Sequence, residues 1–267
     1  MTTTRRPTLA VFKFTSCDGC QLSLLDLEEE LLTLATRVDI AYFREATDLA
    51  RPGPYDLVIV EGSVSTAAQI EHLRTVRAQA RRLVAIGACA TAGGIQALRN
   101  FLPARDEDLI AREGRVDPAW AGRAYPHPEW LDSLARSSPL AAHVPVDYSL
   151  QGCPVDKHEL LEVILAYVDE RRPAIADESV CAACKRRGVS CVTVTSAIPC
   201  MGPVTHSGCG AICPAHDRGC YGCFGPKEHA RADLLAAHWA AAGVDARTRR
   251  DLLRSFNGWA TAFRSAS

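Results

Sequence analysis

The sequence predicts an α/β fold with a parallel, doubly wound sheet, followed by a small irregular region rich in cysteine and by C-terminal helices. Three observations support this prediction. Apolar strand-like segments alternate with helix-like segments from the N-terminus onward, as in βαβ units. One of these strands, "YDLVIVEG", is almost continuously apolar, which is typical of a strand buried on both faces of a parallel sheet. Eight of the twelve cysteines fall between residues 181 and 223.

The first half of the chain supplies the strands and helices of the predicted sheet. Leucines recur at helical spacing in "QLSLLDLEEELLTLAT", which predicts one helix there. A further helix is predicted in "TAAQIEHLRTVRAQA", and another begins with "TAGGIQALRN". The predicted strands are "TLAVFKF" (8–14), "VDIAYF" (38–43), "YDLVIVEG" (55–62) and "RLVAIGACA" (82–90).

The pattern becomes irregular between residues 101 and 140, which we interpret as an insertion. A last strand is expected in "AAHVPVDYSLQGCP", and a helix in "PVDKHELLEVILAYVDE" with Pro154 in its first turn. The polar linker "RRPAIADE" then predicts a boundary between a sheet domain, residues 1–173, and a cysteine-rich domain, residues 174–267. Two helices are predicted at the end, in "GPKEHARADLLAAHWAAAGV" and "DARTRRDLLRSFNGWATAF".

Composition limits the classes of function. With 267 residues, 48% apolar content and a net charge of −1, the chain is predicted to be globular and not to bind nucleic acid. No apolar run approaches the roughly 18 residues of a membrane span. The Arg5–Arg6 pair has no apolar segment of a secretion signal after it, so we expect a cytoplasmic protein. Twelve cysteines in such a chain favour metal or redox chemistry over disulfides.

Four cysteines follow predicted strands. Cys17 and Cys20 come after the first strand, Cys89 after "RLVAI" and Cys153 after the last strand. In doubly wound sheets, sites form beyond the carboxyl ends of the strands. We therefore expect these four thiols to converge there, with Glu61, at the end of "VIVE", on the same rim.

The other eight cysteines form two further sets of four, so twelve thiols fill three groups with none left over. Four thiolates hold an iron–sulfur cubane, and four also hold a structural zinc ion. Abundant glycines and two Cys-Pro pairs favour clusters, although the count alone leaves zinc open. His206 and His216 lie among these cysteines and are expected to be polar loop residues.

"SCDGCQ", "VEGSV", "GACA" and "GCPV", in this order, resemble the small subunit of nickel–iron hydrogenases. "CMGPVTHSGCGAICPAHDRGCYGCFGP" resembles the cytoplasmic, NAD(P)-linked or sulfhydrogenase-type (group 3b-like) branch of that family. The resemblance spans nearly all of residues 8–226. It implies a flavodoxin-like domain with a proximal cluster and a C-terminal domain with two more clusters.

The resemblance also implies a ligand set for each of three 4Fe–4S clusters. The proximal cluster would be held by Cys17, Cys20, Cys89 and Cys153, the medial one by Cys209, Cys213, Cys220 and Cys223, and the distal one by Cys181, Cys184, Cys191 and Cys200. Periplasmic relatives have histidine as the first distal ligand and often a proline in the medial set, where this chain has Cys181 and Cys213. All ligands are therefore expected to be cysteines. Gly19 stands between Cys17 and Cys20, so the extra thiol of oxygen-tolerant proximal clusters is absent there. By analogy, ordinary oxygen sensitivity is expected.

The implied function is electron transfer, because the nickel–iron centre would lie in a separate large subunit. Electrons would travel between that centre and a diaphorase module with FAD and NAD(P), which comprises a flavin subunit and an iron–sulfur subunit. Glu61 is a candidate catalytic residue, at the large-subunit interface or in proton movement, and the alternative is a carboxylate that only holds the adjacent loop.

Other interpretations stay open from the sequence. The chain could belong to an F420-reducing or sulfur-reducing hydrogenase, because the acceptor site lies in another subunit. The related quinone-reductase subunit of complex I would not need eight cysteines after residue 180. A zinc-stabilised structural protein is the alternative from a different class.

Overall fold

The computed structural model describes residues 5–101, 132–134 and 136–266. Within them, five parallel strands form one sheet in the order β2-β1-β3-β4-β5. This is the flavodoxin-like order, so the predicted fold class is confirmed. The strands are β1 (Thr8–Lys13), β2 (Asp39–Phe43), β3 (Tyr55–Glu61), β4 (Ala80–Ile86) and β5 (Tyr148–Leu150).

Helices cover both faces of the sheet, as a doubly wound fold requires. Because side chains alternate along a strand, Leu9 and Val11 of β1 pack into one core cluster while Ala10 and Phe12 pack into the other. The first cluster also includes residues of helices α1 (Gly19–Leu25), α2 (Glu29–Arg37) and α5 (Lys157–Val168). The second also includes residues of α3 (Ala67–Gln79), α4 (Gly87–Ala92) and the short 3₁₀ helix Leu140–Ala142.

The single helix predicted in residues 21–36 is wrong, because α1 ends at Leu25 and α2 begins at Glu29. Glu28 has a positive φ of 51°, which is incompatible with a right-handed helix and interrupts it. The break still lets Leu24, Leu27 and Leu34 reach the core, each with 1% of its surface exposed. The leucine spacing thus predicts the buried face correctly and misses the turn.

Two further boundaries differ from the predictions. Strand β4 ends at Ile86, and Cys89 lies inside α4 and not in the strand. Gly93 and Gly94, both at positive φ, end α4, so the helix predicted to begin in this stretch is only a 3₁₀ helix (Ile95–Phe101). Pro154 is not in the first turn of α5. Asp156 is its N-cap, since its carboxylate accepts from the backbone N–H groups of His158 and Glu159, each at 3.0 Å.

The C-terminal part surrounds a third core cluster, which includes Trp239 and Phe263, each 1% exposed. The last predicted helix is two short ones, separated at residues 254–260. The helices here are α6 (Val180–Arg186), α7 (Val192–Ser196), α8 (Ile212–Ala215), α9 (Ala232–Ala241), α10 (Ala246–Leu253) and α11 (Thr261–Arg264).

Most of the predicted insertion, residues 102–131, lies outside the described residues. In the part of the chain that the structure describes, no helix has the length and apolar character needed to cross a membrane.

Candidate metal centres

The carboxyl edge of the sheet brings the first four cysteines together. Strands β1, β3, β4 and β5 end side by side, with Lys13 paired to Glu61 and Ile86 to both Glu61 and Leu150. The loop after β1 leads to Cys17 and Cys20, the first turn of α4 contains Cys89, and the loop after β5 contains Cys153.

The electrostatics of these thiols show that they are neighbours. Burial raises the pKa of Cys20, and the nearby Glu61, Cys153 and Cys89 raise it further. The pKa of Cys89 is raised to about 11, mainly by burial and also by Cys153 and Cys17. Burial therefore favours the protonated thiols of Cys20 and Cys89 unless a metal replaces the protons. We call these four residues the proximal set.

Two glycines leave the space that these sulfur atoms occupy. A Cβ on Gly87 would overlap the Sγ atom of Cys20, and one on Gly94 would lie 2.6 Å from the Sγ atom of Cys89. Both glycines have a positive φ, 83° and 66°. Only glycine satisfies both the backbone conformation and the close approach.

Glu61 is 2% exposed and holds the loop that contains Cys20. Its Oε1 accepts from the backbone N–H of Cys20 at 3.1 Å and its Oε2 from that of Gln21 at 3.2 Å. Burial raises the pKa of Glu61, and these two N–H donors oppose the rise. These contacts are the ones expected if Glu61 is a carboxylate that holds the adjacent loop.

Cys181, Cys184, Cys191 and Cys200 line one small cavity of about 50 Å³, together with apolar walls that include Val180, Val192 and Pro214. The pKa of Cys184 is raised by burial first, and then by the thiols of Cys181, Cys200 and Cys191. We call these four the distal set.

Cys209, Cys213, Cys220 and Cys223, the medial set, lie within electrostatic range of both other sets. Burial raises the pKa of Cys223 to about 12, and Cys209, Cys153 and Cys213 raise it further. Among these neighbours, Cys153 belongs to the proximal set. On the other side, Cys200 of the distal set raises the pKa of Cys213 and of Cys220. The medial set therefore has neighbours in both other sets, although it comes last along the chain.

Backbone N–H groups point at several of these sulfur atoms. The Sγ atom of Cys200 accepts from the N–H of Cys220 at 3.2 Å and from that of Gly202 at 3.4 Å. The Sγ atom of Cys220 accepts from the N–H of Gly222 at 3.5 Å. Such donors stabilise a thiolate and tune a bound metal.

Several polar residues around the sites were not predicted from the sequence. The Nε2 of Gln96 lies 3.7 Å from the Sγ of Cys89 and also donates to the carbonyl of Thr15 at 2.8 Å. Ser255 and Asn257 contact the loop of the medial set from the C-terminal segment. The only sequence signal was that these are isolated polar residues within otherwise apolar or basic stretches.

The donor set is chemically suited to metal, because it consists of cysteine thiols. All twelve cysteines lie in the described residues and are free thiols. Across residues 5–101, 132–134 and 136–266, no group of three or more His, Cys, Asp or Glu side chains is close enough to hold one metal ion. Four cysteine thiolates can hold a 4Fe–4S cluster, and four can also hold a structural zinc ion.

Comparison with known proteins identifies the family. The model of the NADH ubiquinone oxidoreductase 20 kDa subunit family matches residues 17–167. The chain belongs to this family. The match begins at the first cysteine of the proximal set and ends within α5, so this family's characteristic region contains the whole proximal set.

The curated relatives of this family member are hydrogenase subunits. The delta subunit of sulfhydrogenase 2 from Pyrococcus furiosus is 36% identical over 82% of this chain and 86% of its own length. The delta subunit of the NAD-reducing hydrogenase HoxS from Cupriavidus necator is 32% identical over 61% of this chain and 79% of its own. The resemblance inferred from the cysteine motifs is thereby confirmed.

Solved structures agree with this placement in the family. A chain of an NAD⁺-reducing [NiFe]-hydrogenase matches with a TM-score of 0.53 and 30% identity, and the match covers 64% of this chain and 96% of that one. A chain of the [NiFeSe]-hydrogenase of Dm. baculatum matches with a TM-score of 0.56 over 84% of this chain and 95% of that one. At 15% identity the second match shows the fold alone, and its coverage extends into the cysteine-rich part.

Proposed function

We propose that this chain is the electron-transfer small subunit of a nickel–iron hydrogenase and binds three 4Fe–4S clusters. It would relay electrons between a nickel–iron site in a large subunit and a flavin- and NAD(P)-binding diaphorase module. The net reaction would be the reversible conversion of H₂ and NAD(P)⁺ to NAD(P)H and H⁺. The observation that supports this most is the arrangement of twelve free thiols in three neighbouring sets of four, in which the medial set has neighbours in both others.

Each set has the features that a bound cluster needs. When bound, a 4Fe–4S cluster supplies reversible one-electron transfer. The chain provides four thiols per site, buries Cys20, Cys184 and Cys220, one in each set, and directs N–H groups at Cys200 and Cys220. Because burial favours the protonated thiols, cluster binding should release protons and be favoured as pH rises.

The proposed partners are the hydrogenase large subunit, a flavin- and NAD(P)-binding diaphorase subunit and an iron–sulfur subunit, in the cytoplasm. The relatives' names support this: one belongs to a NAD-reducing hydrogenase and another to a sulfhydrogenase. Sulfur reduction is a second candidate because the sulfhydrogenase subunit is 36% identical. Assays of H₂ oxidation with NADP⁺, NAD⁺, polysulfide and F420 distinguish the acceptors.

Glu61 is proposed to position the Cys20 loop, and a role in proton movement is a separate proposal. Glu61→Gln keeps the shape of the side chain but turns an N–H₂ group toward one backbone N–H. If Glu61 only holds the loop, the variant loses proximal iron or stability and the pH profile of H₂ oxidation keeps its shape. If Glu61 moves protons, the pH profile changes while iron content stays that of the wild type.

Metal analysis of the anaerobically purified complex tests the main proposal. We expect about twelve irons from each copy of this chain, the sum of three 4Fe–4S clusters, in addition to the iron of the large subunit and of the iron–sulfur subunit, and nickel in the large subunit. Two or three zinc ions and no iron would refute it.

Ligand variants locate each cluster. Cys20→Ser, Cys184→Ser and Cys223→Ser each remove one thiol from a different set, so each should lower the iron content or convert one cluster, as seen by electron paramagnetic resonance (EPR). His216→Ala is the control, because His216 is exposed beside the medial set and is not a proposed ligand. Loss of the same cluster in two of the three serine variants would contradict the division into sets.

A further inference from the structure

The loop 220–224, which contains two cysteines of the medial set, is held by its carbonyl groups. The hydroxyl of Ser255 donates to the carbonyl of Tyr221 at 3.0 Å. The side-chain amide of Asn257 donates to the next two carbonyls, those of Gly222 and Cys223, at 2.9 and 3.0 Å. Both hydrogens of this amide are thus used on consecutive peptide groups of the loop.

The carbonyls at both ends of the loop are held as well. The backbone N–H of Met201 donates to the carbonyl of Cys220 at 3.0 Å. In the amide orientation that satisfies its surroundings, Gln151 donates from Nε2 to the carbonyl of Phe224 at 2.6 Å. Five consecutive carbonyl groups therefore accept hydrogen bonds from outside the loop.

This arrangement fixes where the N–H groups of the loop point. In a trans peptide the C=O and N–H bonds are antiparallel. Carbonyls drawn toward Ser255 and Asn257 therefore turn the N–H groups of the same peptides to the opposite side. The N–H of Gly222 belongs to the peptide whose carbonyl Ser255 holds, and it donates to the Sγ atom of Cys220 at 3.5 Å.

Asn257 is placed for this role and not only for packing. It is 2% exposed, and its Oδ1 atom is buried without a hydrogen-bond partner. Burying an unsatisfied oxygen costs free energy that an apolar side chain of similar volume would avoid. What the asparagine provides in return is its pair of donors to the two carbonyls.

We propose that Asn257, assisted by Ser255, is a positioning residue that raises the reduction potential of the medial cluster. It does so by keeping carbonyl oxygens away from the cluster and N–H groups toward it, because hydrogen bonds to cluster sulfur favour the reduced, more negative state. The proposal rests on the proposed function, since it requires a cluster in the medial set.

The test is a redox titration of the anaerobic complex followed by EPR. Asn257→Leu removes both donors without adding charge, and we expect the transition of the medial cluster to move to a lower potential while every other transition of the complex stays in place. A tenfold fall in the ratio of reduced to oxidised cluster at a fixed potential corresponds to a shift of about 59 mV.

A matched pair at Ser255 covers the case in which Asn257→Leu does not fold. Ser255→Thr keeps the hydroxyl, whereas Ser255→Val has the same shape without it. The position is only half-buried, so both should fold. The expected shift is smaller here, because the single hydroxyl hydrogen is shared with the carbonyl of Leu252 at 2.9 Å. We expect the valine variant to shift the same transition and the threonine variant to match the wild type.

The outcomes separate the two proposals. Wild-type complex without iron refutes the proposed function. Wild-type complex in which this chain contributes about twelve irons, and variants in which every cluster potential equals the wild-type value, refute the positioning role and leave the proposed function intact. Equal shifts in Ser255→Val and Ser255→Thr also refute it, because the hydroxyl would then be irrelevant.

Discussion

Replacing Gly87 by alanine tests the geometry of the proximal set most directly. A Cβ at this position would overlap the Sγ atom of Cys20, and the backbone has a φ of 83°. A non-glycine residue in the left-handed region costs about 1–2 kcal/mol. Forcing an extra methyl group into a packed site costs roughly a further 1–3 kcal/mol. We therefore expect Gly87→Ala to lower the free energy of unfolding by about 2–5 kcal/mol.

Gly243→Ala is the matched control. Gly243 has a φ of 84°, and a Cβ there would have no atom within 4 Å. This variant should lose only the backbone term, about 1–2 kcal/mol, and keep all its iron. Thermal unfolding under anaerobic conditions measures both variants, and at this size each kcal/mol corresponds to roughly 2–4 °C.

Iron content shows whether the substitution only destabilises the fold or also displaces Cys20 from the proximal set. If Cys20 must move to make room for the new methyl group, Gly87→Ala should lose about four irons per chain, those of one 4Fe–4S cluster. Equal thermal shifts in Gly87→Ala and Gly243→Ala, with iron retained in both, would refute the argument. The close approach of Gly87 to the cysteine would then not constrain the site.

Two other variants test the remaining architecture. Trp239→Ala removes the largest side chain of the C-terminal core, at a cost of about 3–5 kcal/mol, and should deplete medial and distal iron while proximal iron stays. Leu234→Ala, at an exposed position on the same helix, is its control. Loss of all three clusters together would contradict the prediction that the sheet domain and the cysteine-rich domain are independent. Glu159→Gln should raise the melting temperature at pH 8 and barely change it at pH 5. Burial raises the pKa of Glu159 to about 7, so its ionisation destabilises the fold as pH rises from 4.5 to 7. The gain at pH 8 should be about 1 kcal/mol after solvent screening, and a gain of the same size at pH 5 would contradict this reasoning.

The sheet could be predicted because its central strands are buried on both faces over most of their length. Residues 57–60 of β3 are all at most 4% exposed, so their apolar character is uninterrupted and easy to recognise. The turn at Glu28 could not be predicted, because the leucines on either side keep a helical spacing. The first turn of α5 was misassigned for a related reason. Pro154 and Asp156 are both suitable near a helix start, and only the hydrogen bonds of the folded backbone show which of them caps it.

The cysteines of the candidate sites could be predicted, but the residues that hold them could not. Cysteine is recognisable in a sequence as a candidate metal ligand. The ends of the predicted strands place four of the cysteines at the carboxyl edge of the sheet. Gln96 and Asn257 are common polar residues whose role depends on contacts across the fold. The amide of Asn257 reaches back 35 and 34 residues to Gly222 and Cys223, and no local pattern encodes that distance.

The order of the three sets in the proposed relay differs from their order along the chain. The distal set comes second in the sequence, yet the medial set has neighbours in both the distal and the proximal set because the chain returns at residues 219–220 to run beside residues 199–201. This return needs Gly219, since a Cβ there would overlap the carbonyl oxygen of Pro199. The middle of the proposed relay is thus assembled from the last cysteines and held by a segment that follows them. Continuity of the proposed relay therefore depends on the folding of residues 232–266, although this segment contains none of the medial thiols.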